Sequence, residues 1–238
     1  MSTLQRYGTY TPGKLTVSKS APTKKARFVT KKKVRSTTSS VVRIGRQPFP
    51  KILYNTLSYA VKVAMAVTAG SGGYVISANG LFKPDPLTST AQPLYFDQLT
   101  AVYDHYAVVG SRCKFTPLSA SNLNVVYAAF VDDDSTIPAP SATNVSMLTR
   151  PGSKSSFVGN FATDRPHPVM CSYNQKSWFG GDLLASGDQQ GTSAANPTET
   201  VFHVFQYFDI AVGSYNLDLI IQVEYDVVWD ELFTVAQS

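Results

Sequence analysis

The side chains best suited to chemistry are few and scattered. Three histidines, His105, His167 and His203, stand in separate segments. A lone imidazole without an orienting carboxylate reads as a satisfied structural residue rather than a general base. Two cysteines, Cys113 and Cys171, make no disulfide framework in a chain of 238 residues and read as buried, inert thiols. Asp132, Asp133 and Asp134 crowd three carboxylates into a loop after a strand. Hard cations such as calcium take oxygen clusters of this kind, and at a subunit interface one ion would bridge two chains. No EF-hand spacing accompanies them, so a solvated loop is the plainer reading. The sequence has no Walker loop, dinucleotide glycine fingerprint, nucleophile elbow or paired Cys/His zinc spacing. The expectation is no enzyme, no cofactor, and no metal beyond that Asp run.

The concentrated chemical resource is positive charge. Residues 1–51 hold 13 Lys and Arg and no acidic residue, while 52–238 hold 8 basic against 16 acidic, so the formal +5 conceals +13 on one segment and −8 on the other. Arg6, Lys14, Lys19, Lys24, Lys25, Arg27, Lys31, Lys32, Lys33, Arg35, Arg43 and Arg46 are the candidate nucleic-acid contacts. Cations neutralise phosphates and release condensed counterions, which needs charge density rather than a folded site. Tyr7, Tyr10, Phe28 and Phe49 are too sparse for a stacking platform. Nothing resembles a groove-reading helix or a zinc finger, so the expected binding is non-specific and salt-dependent. The run 24–35 also has the loose composition of a nuclear localisation signal. The arm has no amphipathic apolar face to insert into a membrane, and no apolar run approaches the roughly 18 residues of a spanning helix. The opening MSTLQRYGTY lacks the apolar core of a secretory signal. The expectation is therefore an intracellular protein whose sequon Asn144-Val145-Ser146 stays unmodified.

These groups need elements to position them. Residues 1–51 have no sustained apolar period and read as a flexible arm; 52–238 read as one β-domain. Leu57, Tyr59, Val61, Val63, Met65 and Val67 alternate with polar or small residues, as do Tyr215, Leu217, Leu219, Ile221, Val223, Tyr225, Val227 and Trp229, which predicts two half-buried strands. Residues 202–212 alternate too, and Gly213-Ser214 between the last two runs predicts a long antiparallel hairpin. Shorter strands are expected near 73–77, 107–118, 123–131 and 167–173, with loops at 83–93, 132–144, 150–156 and 179–198. Leu94 to Tyr106 can carry a short helix with Phe96, Leu99, Tyr103 and Tyr106 on one face, and 142–148 a helical turn. The fold class expected is all-β: a single eight-stranded jelly-roll sandwich with a basic N-terminal arm. An immunoglobulin-like sandwich fits the long loops less well and lacks the Cys, Trp, Cys spacing. Arg112 and Lys114 share one strand face, either as part of an inner lining or as plain surface charges.

The segment from Phe96 to Ser111, FDQLTAVYDHYAVVGS, resembles the F-D-Q, Y-x-x-Y, V-x-G-S pattern in capsid proteins of circular, Rep-encoding single-stranded DNA viruses, the circovirus-like group. The resemblance implies a self-assembling coat subunit in a shell of about sixty copies, with the strand order of a viral jelly roll. It implies an arm that faces the interior, holds single-stranded DNA and meets a nuclear import receptor, so that the protein resides in the virion and, during assembly, in the host nucleus. Nothing in it identifies a host attachment factor. Sixty arms of +13 would supply roughly 800 charges, short of one per nucleotide for about two thousand nucleotides, so mobile cations would neutralise the rest. The alternatives are a capsid protein of a small single-stranded RNA virus, a cellular nucleic-acid-binding β-module with a basic tail, and a jelly-roll enzyme or sugar-binding domain.

Overall fold

The computed structural model describes residues 49–67, 71–87, 91–118, 125–136, 145–158, 167–181, 187–209 and 215–232. The chain divides into units 1–46 and 47–238, and the second holds all the described residues. Among them the chain forms β1 (Leu53–Val67), β2 (Ser71–Ser77), α1 (Phe96–Thr100), β3 (Tyr103–Leu118), β4 (Val125–Asp132), β5 (Lys154–Val158), β6 (Val169–Asn174), α2 (Gln175–Phe179), β7 (Gly191–Thr192), β8 (Phe202–Asp209) and β9 (Tyr215–Leu232). No helix among the described residues is long and apolar enough to cross a membrane.

Two antiparallel sheets result, one ordered β1-β9-β3-β6 with β7 added to β3, the other β2-β8-β4-β5. With the two-residue β7 set aside, first pairs with last, second with next to last, third with sixth and fourth with fifth: β1/β9, β2/β8, β3/β6 and β4/β5. That nesting is one long hairpin rolled into two sheets, which is a jelly roll. The expected fold class holds.

Alternation explains the long strands of the first sheet. On β9, Leu217, Leu219, Ile221, Val223, Tyr225, Val227 and Trp229 are buried between the sheets, while Gln222 and Glu224 are exposed on the outer face. β1 lies on it in unbroken register from Leu53↔Trp229 to Val67↔Tyr215. The second sheet is apolar on both faces. Tyr127, Ala129, Phe205 and Tyr207 join the central core, and Ala128, Phe130, Val204, Phe208 and Val75 form a second cluster with Met147 from the 3-10 turn Ser146–Leu148.

The structure corrects several sequence expectations. Residues 202–209 and 215–232 are not a hairpin: β8 pairs β2 and β4, and β9 pairs β1 and β3, in opposite sheets. A turn signal marks a reversal of direction but not the sheet that receives the next strand, and both flanks of β9 are already taken. The helix stops at Thr100, so Tyr103 and Tyr106 lie on β3 rather than on a helix face. Phe96 anchors α1 instead, edge-on to Tyr106 at 5.6 Å and against Trp229 at 6.0 Å. The end of the expected 150–156 loop instead opens β5, because β4 supplies a partner for each residue from Lys154 to Val158. In the expected 179–198 loop, β7 pairs with β3. The unexpected α2 is capped by Asn174, whose side chain accepts from the Ser177 N–H at 3.1 Å, and closed by Gly180 at φ 73.

A β-bulge lies between Val108 and Gly110. Tyr106 and Val108 point into the core before it, Ser111, Cys113 and Phe115 after it, so the extra residue switches the inward parity from even to odd. Buried tyrosines then tie loops to the sandwich. Tyr225 donates to the Ser77 carbonyl at 2.8 Å, Tyr127 to that of His167 at 2.6 Å and Tyr103 to that of Pro50 at 2.9 Å. Tyr106 accepts from the Leu81 N–H at 2.9 Å and the Phe82 N–H at 3.3 Å while donating to Asn196 Oδ1; burial pushes its phenol up to about 12.

Candidate functional site

The twelve cations from Arg6 to Arg46 assigned to nucleic acid lie outside the described residues. The β-domain itself carries three groupings with chemical potential: a buried histidine network, a carboxylate-histidine cluster at one sheet end, and a surface groove.

His203, on β8, is wholly buried between the sheets. Its Nε2 lies 2.8 Å from Ser111 Oγ and its Nδ1 3.2 Å from Cys171 Sγ. The Ser111 hydroxyl donates its one proton to the Ala78 carbonyl at 2.6 Å, so it must accept from His203. That fixes the tautomer: Nε2 carries the proton, and Nδ1 accepts from the Cys171 thiol. Burial drives the imidazole down to about 3 and both thiols upward, Cys113 further through the neighbouring Cys171. A cysteine and a histidine in contact look like a nucleophile and its base, but a thiol held protonated beside an imidazole held neutral is structural. Cys113 and Cys171 face each other across β3 and β6 as free thiols. His167 is exposed, and its carbonyl accepts from Tyr127.

The Asp run does not converge. Asp132 is buried and its carboxylate is paired with Arg150, whose guanidinium also sits 5.5 Å above Phe130. Asp133 and Asp134 are exposed, and Asp134 caps the Thr136 N–H at 2.7 Å. The solvated-loop reading suits those two, while Asp132 is a packing element; the three do not form a ligand cluster. The set that does converge is Asp104, His105 and Glu231, whose ligand atoms all lie within 4.8 Å of one another. Nothing in the sequence signals it beyond the adjacency of Asp104 and His105, because Glu231 comes from the far end of the chain.

Charge on the outer face of the first sheet is largely self-neutralised. Lys62 pairs with Asp218 at 2.7 Å, and Arg112 lies 3.5 Å from Glu224 and 3.6 Å from Asp226. Arg112 is thus a surface charge engaged by its own sheet. A groove of about 580 Å³ runs beside β6, lined by Arg112, Lys154, Met170 and Trp178 among others. Met170 is 56% exposed and Trp178 40% exposed, Phe157 on β5 is 53% exposed, and Tyr54 on β1 is 70% exposed.

No protein-family model and no curated protein matches the chain. Solved structures similar to it include the 60-mer BFDV capsid protein, with 10% identity over 80% of this chain and 100% of that one and a TM-score of 0.46. The Macrobrachium rosenbergii nodavirus has 10% identity over 81% of this chain and 61% of that one, TM-score 0.44. Desmodium yellow mottle tymovirus has 12% identity over 85% and 100%, TM-score 0.38. The jelly-roll assignment rests on the strand pairing itself rather than on these likenesses.

Proposed function

We propose that this chain is the coat subunit of a small icosahedral virus: its jelly roll self-assembles into a shell of about sixty copies, and its basic N-terminal arm holds a single-stranded DNA genome. The observation that carries the reading is the segregation of charge, 13 cations and no anion in 1–51 against a net −8 in 52–238. An anionic sandwich repels phosphate, so nucleic-acid contact falls to the arm, which needs no folded site to make it. Exposed Phe157, Met170, Trp178 and Tyr54 are apolar surface that contacts between copies would bury. The DNA cargo, and entry to the nucleus through the 24–35 run, follow from the likeness of residues 96–111 to circovirus-like capsids.

Negative-stain microscopy and size-exclusion chromatography of the purified protein test assembly: closed particles are expected, and a monomer at every salt concentration would refute the shell. Deleting 1–46 should lower the 260/280 nm absorbance ratio of purified material; an unchanged ratio would remove the arm from nucleic-acid binding. Digestion of the co-purified nucleic acid with DNase and with RNase separates the DNA reading from that of an RNA-virus capsid.

A further inference from the structure

We propose that Asp104, His105 and Glu231 form a binding site for one divalent transition cation of the zinc class, at the sheet end where β3 begins and β9 stops. The site goes beyond the coat-subunit reading and does not depend on it.

The β3/β9 register supplies the first reason. Tyr103 pairs with Leu232 and His105 with Asp230, which sets Asp104 across from Glu231. Like charges directly opposed across two strands repel. Glu231 also takes φ 54, in the left-handed region, so the regular alternation of faces fails there and its carboxylate meets the imidazole.

The distances supply the second. His105 Nδ1 lies 3.4 Å from Glu231 Oε2 and 3.7 Å from Asp104 Oδ2, longer than the 2.7–3.2 Å typical of a hydrogen bond. Ligands held about 2.0–2.2 Å from one tetrahedral ion stand roughly 3.3–3.6 Å apart; the Glu231 pair falls in that range, the Asp104 pair lies just beyond it, and all three ligand atoms lie within 4.8 Å of one another. The third reason is independent of the carboxylates: His105 Nδ1 is buried with no hydrogen-bond partner, as is Oδ1 of Asp230. A buried polar atom without a partner is destabilising, and a cation facing Nδ1 supplies one.

Ligand chemistry selects the ion. One imidazole nitrogen and two carboxylate oxygens suit zinc and its neighbours, and two carboxylates balance a +2 charge. Calcium takes six to eight oxygens, which this set does not offer. A bound ion would clasp the start of β3 to the end of β9, beside Tyr103 and its bond to the Pro50 carbonyl. Zinc should therefore raise the melting temperature of the domain.

The test uses the full-length protein stripped with chelator and titrated with Zn²⁺ by calorimetry, with Co²⁺ as the spectroscopic probe. One equivalent per chain and a raised Tm are expected, with binding weakened at least tenfold in His105→Gln and in Glu231→Gln, each checked for folding by circular dichroism. Absence of Zn²⁺ binding, binding by the two variants as tight as that of the unaltered protein, or preference for Ca²⁺ over Zn²⁺ would overturn the site. Should a variant fail to fold, the Co²⁺ spectrum of the unaltered protein decides. Visible bands of nitrogen and oxygen ligation support the assignment, whereas a thiolate charge-transfer band would move the metal to Cys113 and Cys171 and refute it.

Discussion

At His203 the fold excludes a proton. The folded value is about 3, whereas an unfolded chain titrates near the ordinary histidine value of about 6.5. Between these values the unfolded state binds the proton and the folded state does not, so stability falls as pH drops through that window, by at most about 1.4 kcal/mol per pH unit. Urea midpoints measured from pH 7 to 4 should show this slope, and His203→Gln should lose that part of it while lowering stability at every pH. At Tyr225 the consequence is independent of pH. Tyr225→Phe leaves the buried Ser77 carbonyl without its donor, a cost of about 1–3 kcal/mol, read as a lower denaturation midpoint at unchanged m-value. Residue roles of this kind were half legible. The sequence marks His203 as structural, but its tautomer depends on Ser111 and Cys171, which arrive from other strands.

For the elements, the bulge at Val109 is the point where a small change has the largest effect. Deleting Val109 would restore regular pairing and turn either Tyr106 and Val108 or Ser111, Cys113 and Phe115 outward; loss of the native β spectrum or of solubility is expected. Gly191 pairs with Tyr106, and a Cβ there would lie 2.3 Å from Tyr106 Cζ. Gly191→Ala should therefore cost at least the roughly 1–3 kcal/mol typical of overpacking, with the loss read from thermal unfolding and relieved in part by Tyr106→Leu. β1 and β9 were legible because one face of each meets water and the other does not. β4 was legible as a strand but not by alternation, since its outer face is covered by Met147 and its neighbours. β5 is set by its partner rather than by its own residues.

For the whole molecule, the separation of charge predicts how binding responds to salt. If about ten arm cations each engage a phosphate, the logarithm of the affinity for a single-stranded oligonucleotide should fall with a slope of about −7 against the logarithm of salt concentration. Fluorescence anisotropy across a salt series measures it, and deletion of 1–46 should flatten the line. A slope near zero in the full chain would mean that the contact is not electrostatic. The β-domain contributes little, because its net charge over 52–238 is −8 and three of its cations, Lys62, Arg112 and Arg150, are paired with its own carboxylates.

The sequence alone determined what depends on composition and short-range period: a cationic segment joined to an acidic β-domain, the buried faces of β1 and β9, and the all-β class. Tertiary structure decided what depends on which strands become neighbours. It placed β8 and β9 in opposite sheets, made a strand of 154–158, converted the helical spacing of Tyr103 and Tyr106 into core positions on β3, and brought Glu231 to Asp104 and His105. Hydrophobic alternation is written locally and survives in any arrangement that buries one face. Pairing partners, bulge parity and convergent side chains are set by long-range register, which only the assembled sandwich contains.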